Sequence, residues 1–189
     1  MKSTLLALRG RYGARLQIRV SLDHYGKLVH EKERGRRSWQ PTLDGLLWLA
    51  RNGFAPSVAS RRLSGETEAE IRQGFAALFA ANEIEIDAGD PVALTVFPEM
   101  DPDADVPEIT EACWGILGKS PDDVMCASSR MVVKFKGAAR PTVIACTLLP
   151  YDSRFNLGPG LAGALGSVPL NHPHCAKFCV LGGGACSRG

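Results

Sequence analysis

The chain has no stretch approaching the ~18 uninterrupted apolar residues of a membrane-spanning helix, so no membrane span is expected. Its apolar start is short: Arg9 ends the run Leu5 to Leu8, too brief for the hydrophobic region of a secretory signal. Charge of one sign is also scarce. Against 22 Lys and Arg stand 20 Asp and Glu, a net +2 that leaves no basic field to neutralise phosphates and sets general nucleic-acid binding aside. The one basic cluster, Lys32 to Arg37 (KERGRR), reads as a solvated loop. Internal repeats and low-complexity tracts are missing too. The expected location is the cytoplasm, where thiols stay reduced and clustered cysteines mean metal or catalysis more often than disulfides.

What the chain has is 189 residues, enough for one domain or one with a small appendage, and a 45% apolar fraction that can fill a core. Its first half alternates strand and helix signals. LQIRVSLD (Leu16 to Asp23), APSVASRRL (Ala55 to Leu63) and VALTVFPEM (Val92 to Met100) read as strands. Between them, Leu43, Leu46, Leu47 and Ala50 recur at helical spacing up to a stop at Gly53. A second helix begins at a Thr67/Glu70 capping box and carries an Ile71, Phe75, Leu78, Phe79 stripe. This β-α-β-α-β order predicts an α/β fold, a slice of a sheet or barrel with parallel strands and right-handed crossovers.

Beyond residue 100 the character changes. DPDADVP is an acidic linker whose likeness to a calcium loop fails at Val106 and Ala112, where such a loop needs Gly and Glu. PEITEACWGILG predicts a short helix with Pro107 in its first turn, and SRMVVKFK and TVIACTLLP predict an antiparallel hairpin. The tail from Tyr151 is rich in glycine and turn residues.

None of the six cysteines precedes Cys113, which sits among apolar neighbours and is expected to be a buried free thiol. Cys175, Cys179 and Cys186 crowd the last fifteen residues at spacing C-x3-C-x6-C, in a glycine-rich loop that permits close backbone approach to a metal centre. Cys126 and Cys146 flank the hairpin, which can carry both towards the tail, although Cys146 alternates with Ile144 and Leu148 as a core residue would. Four thiolates suit either a tetrahedral zinc or a 4Fe–4S cluster. Zinc-ribbon C-x2-C knuckles are lacking, while His172 and His174 keep a mixed cysteine–histidine zinc site open. Thiols that bind nothing are the third reading.

Two stretches together resemble radical S-adenosylmethionine (SAM) enzymes. The segment VSLDHYGKLVHEKERGRRSWQPTLDGLLWLARNGFAPSVA is similar to their mid-barrel region, through Ser21, Asp23, His30, Arg34, Gly35 and Trp39. CASSRMVVKFKGAARPTVIAC resembles the hairpin opening the family's SPASM or twitch extension, in which late cysteines hold an auxiliary 4Fe–4S cluster. The resemblance spans residues 16 to 187. It implies a partial (β/α) barrel over residues 1–100 and a small cysteine-rich β-hairpin extension over 101–189. It implies Ser21 and Asp23 near the SAM ribose and Arg34 near a carboxylate. Arg61, Arg62 and Glu99 are weaker strand-end candidates. Cluster ligands would come from Cys126, Cys146, Cys175, Cys179 and Cys186, the first choice being Cys126, Cys146, Cys179 and Cys186.

One departure matters: the C-x3-C-x2-C loop that holds the SAM-cleaving cluster is absent. The chain therefore reads as a C-terminal part, unable to cleave SAM alone, whose expected partner is a missing N-terminal barrel half or a second copy of itself. Whether it is an enzyme, and on which small molecule or peptide, the sequence leaves open. An apolar parallel strand at Leu16 to Asp23 with one neighbour would present unpaired backbone and promote association.

Overall fold

The computed structural model describes residues 1–63 and 65–182, and the chain divides into two compact units, Met1–Glu99 and Met100–Gly189. The first unit is α/β. It runs α1 (Lys2–Tyr12), β1 (Arg19–Ser21), α2 (Lys27–Arg34), α3 (Trp39–Arg51), β2 (Ser57–Arg61), α4 (Glu68–Ala81) and β3 (Leu94–Phe97). The strands form one parallel sheet in the order β1-β2-β3, with Val58 opposite Val20 and Leu94. Among the described residues no closed barrel forms.

Apolar periodicity makes the core of this unit. Leu43 and Leu46 of α3, and Ile71, Phe75 and Phe79 of α4, pack on Leu22, Val58 and Leu94 from the sheet. Each fully buried side chain of this size contributes about 1.5–3 kcal/mol. Helix α4 starts where the capping box says: Thr67 Oγ1 accepts the Glu70 N–H, and Glu70 Oε2 accepts the Thr67 N–H at 2.7 Å. Helix α3 ends before Gly53, whose φ of 72° suits glycine.

The second unit holds α5 (Ala112–Leu117), α6 (Met125–Ser128), an antiparallel pair β4 (Met131–Val133) and β5 (Thr142–Ile144), and a π-helical turn at Cys175–Val180. Backbone bonds from Ala145 N–H to Phe155 O and from Leu157 N–H to Val143 O, both 2.9 Å, lay residues 155–158 against β5. Its core gathers Ala145, Leu149, Phe155 and Cys175.

Several expectations are corrected. The strand expected over Leu16 to Asp23 is regular only at Arg19–Ser21. Lys32 to Arg34 are not loop but the last turn of α2, where basic residues suit the helix C-terminus. Pro107 is not in the first turn of α5, which begins at Ala112, after a turn in which the Cys113 N–H bonds Thr110 O. Cys113 is half-buried rather than buried, because α5 buries none of its residues. The cysteine tail, up to Gly182, is a helical turn rather than an open loop. No helix among the described residues is long and apolar enough to cross a membrane.

Candidate metal centre

Antiparallel pairing places the residues before β4 beside those after β5, since Met131 stands opposite Ile144. Cys126 on α6 and Cys146 just past β5 therefore lie at the same end of the hairpin. Cys175 and Cys179, four residues apart on the π-helical turn, share one face of it. All four thiols line a single small cavity together with His174, among apolar side chains that include Leu149, Phe155 and Leu170. Its volume is about 10 Å³, the room of one water-sized sphere. None of the five described cysteines is in a disulfide. Cys186 lies outside the described residues.

The surroundings disfavour the thiolate at Cys126, Cys146 and Cys175. Burial, with the nearby Cys146 and Cys126 adding to it, pushes Cys175 up to about 11. Burial likewise raises Cys126, with Cys146 adding to it, and burial raises Cys146, partly offset by N–H groups from Leu148 and Leu149. The Leu148 N–H lies 3.4 Å from Cys146 Sγ. Reactive nucleophilic cysteines have depressed, not raised, values. Raised neighbouring thiols in an apolar cavity suit a metal, whose positive charge offsets both burial and mutual repulsion once the protons leave.

Three fixtures hold this arrangement. Arg130 donates from Nε to Ala164 O (2.7 Å), from Nη1 to Cys126 O (2.6 Å) and Ser129 O (2.9 Å), and from Nη2 to Gly166 O (3.1 Å). Lys119 Nζ donates to Val180 O at 2.5 Å, capping the π-helical turn. At the end of that turn, a Cβ on Gly182 would collide with the carbonyls of Lys177 and Phe178. A second, open cavity of about 260 Å³, bordered by Trp114 and Arg130, shares Cys126, Val168 and Leu170 with the first.

Sequence spacing could not separate His172 from His174. The structure does, because His174 lines the thiol cavity while His172 Nδ1 accepts the His174 backbone N–H at 3.0 Å. Burial is the main cause lowering both imidazoles, which favours their uncharged form. Arg130 and Lys119 gave no sequence signal, since they bind backbone carbonyls, those of Ala164, Gly166 and Val180 lying far along the chain.

Thiol geometry bears on which metal fits. Among the described residues, no three His, Cys, Asp or Glu side chains are close enough to share one ion. Tetrahedral zinc with bonds of about 2.3 Å needs sulfurs about 3.8 Å apart. A four-iron cluster attaches each thiolate to a different iron and tolerates wider spacing. The donor types at the cavity, four thiols and an imidazole in an apolar lining, are those that zinc and iron–sulfur centres use.

In the first unit, the residues that carry the resemblance form a packed group at the carboxyl end of β1. Asp23 is only 3% exposed, and its carboxylate takes Arg34 Nε at 2.6 Å and Nη2 at 3.1 Å. His30 Nδ1 accepts the Asp23 N–H at 3.2 Å, and its ring stands edge-on to Trp39 at 5.6 Å. Ser21 is exposed. Arg61 reaches Glu33 at 3.3 Å, and Arg62 and Glu99 are exposed. Beside them Glu66 receives Tyr25 O–H at 2.5 Å and lies 2.7 Å from His24 Nε2, whose Nδ1 accepts the Gly26 N–H. Asp23 and Arg34 thus satisfy each other, which leaves Ser21 as the open member of the three.

No protein-family profile, curated protein or solved structure matches this chain.

Proposed function

We propose that the chain is the iron–sulfur-binding C-terminal part of a radical SAM enzyme. In this reading the first unit is a partial (β/α) barrel and the second an extension for an auxiliary 4Fe–4S cluster. The observation that carries the proposal is the meeting of Cys126, Cys146, Cys175 and Cys179 around one apolar cavity. Cys175 takes the place that Cys186, which lies outside the described residues, had in the first choice of ligands. A cluster so held supplies one-electron transfer at low potential. The protein's own part is to exclude water with Phe155 and Leu149, to direct the Leu148 N–H at Cys146 sulfur, and to fix Cys126 through Arg130.

SAM cleavage needs a three-cysteine loop that these 189 residues do not contain. The chain then works with a partner that completes the barrel: an N-terminal half or a second copy pairing at β1, which among the described residues has β2 as its one neighbour. A zinc module built from cysteines and His174 is the second reading, favoured by the neutral imidazole at the cavity.

The test is anaerobic purification of the full chain, with iron, sulfide and zinc analysis and visible absorption. A brown protein with about four irons is expected. Cys146→Ser should lose the iron, and Cys113→Ser, away from the cavity, should keep it. A colourless chain holding one zinc overturns the cluster.

A further inference from the structure

His174 is the one histidine of four whose two ring nitrogens are both buried and without a hydrogen-bond partner among the described residues. The others are placed differently. His24 is engaged at both nitrogens, and His172 and His30 each accept a backbone N–H at Nδ1. An ordinary core histidine finds a partner, because a buried polar group left unpaired costs about 1–3 kcal/mol. His174 leaves two such groups unpaired, and it does so on the wall of the cavity where four thiols converge.

Its placement is also fixed rather than incidental. The His174 backbone N–H donates to His172 Nδ1, and the two rings stand edge-to-face at 4.5 Å. His172 in turn meets Phe155, a residue lining the same cavity, at 6.3 Å. The carbonyl of His172 receives the Cys175 N–H at 2.8 Å, so one short segment orients the imidazole and the first thiol of the turn together.

We infer that His174 supplies a nitrogen ligand to the centre formed with these cysteines, making it a mixed imidazole–thiolate site rather than an all-cysteine one. This rests on the cluster reading above. A neutral ring donates its lone pair to iron and carries no charge to the centre, whereas a thiolate adds one negative charge. Three of the four cavity thiolates then complete the set. Replacing an anionic ligand by a neutral one raises the reduction potential, as histidine does in two-iron centres that carry it. His172 is a positioning residue.

Pulsed electron paramagnetic resonance on the reduced, full-length wild-type protein, unlabelled and with ¹⁵N-histidine, tests this without relying on a variant or on activity. A strong nitrogen coupling that changes with the label is expected. In His174→Cys, iron should be retained, the nitrogen coupling should vanish and the potential should fall. Iron-loaded wild type lacking any histidine nitrogen coupling overturns the inference and leaves the cluster reading intact. Wild type that binds no iron overturns the cluster reading, and this inference with it.

Discussion

Replacing Arg130 by methionine removes a cation that binds four backbone carbonyls while keeping much of its apolar stem. The bond to Gly166 O is solvent-exposed and water can replace it, so its loss counts for little. The bonds to Ala164, Cys126 and Ser129 are partly buried. At about 1 kcal/mol each after allowance for that partial exposure, they sum to about 3 kcal/mol of local stability. That corresponds to about 100-fold faster opening of the structure they tie together. Native-state hydrogen exchange reads it directly at the amides of Ala127, Ser129 and Ala164, each of which donates to a nearby carbonyl. Amides of β2 and β3 should keep their protection. If the three local amides exchange within about threefold of wild type in the folded variant, Arg130 does not hold Cys126 in place and the reasoning fails.

Two further outcomes follow from the first unit. His30 is held neutral mainly by burial, with Arg34 adding to the effect and Asp23 and Glu31 opposing it. Its folded value lies below 6.5, so the unfolded chain takes up the proton first as pH falls. Stability should be full above that pH and decline below it, by at most about 1.4 kcal/mol per pH unit, in urea titrations. His30→Asn should flatten this slope, and an unchanged slope would clear His30 of the effect. Separately, a Cβ at Gly74 would lie 2.5 Å from Tyr25 Cδ1 and 2.6 Å from Cζ. Gly74→Val should cost about 1–3 kcal/mol and lower the melting temperature. Adding Tyr25→Ala should recover much of that loss, and strictly additive effects would show that the clash is elsewhere.

How much of this the sequence carried depended on whether the signal was local. The capping box at Thr67 and the Ile71, Phe75, Phe79 stripe are contained within a few helical turns, and both stand in α4. The β-α-β order needs only alternating signals, and the parallel sheet follows from it. The hairpin was likewise readable from a short apolar–turn–apolar pattern. Helix α1 buries no residue, so it leaves no amphipathic trace to read. The basic stretch at Lys32 misled because charge was taken for a solvated loop, when Arg34 is the partner of a buried carboxylate 11 residues earlier. Which thiols meet was beyond spacing, since the convergence of Cys126 and Cys175 is made by long-range packing around Phe155. His174 differs from His172 in its hydrogen bonds and in lining the thiol cavity, tertiary properties that no periodicity encodes.

The closed cavity and the open one share part of their lining. Cys126 belongs to both, flanked there by Val168 and Leu170. A small molecule resting against Trp114 in the outer recess would share Cys126 with the inner chamber. A bulky side chain at Ser167, which lines the recess together with Cys126, would shut that thiol off from this side.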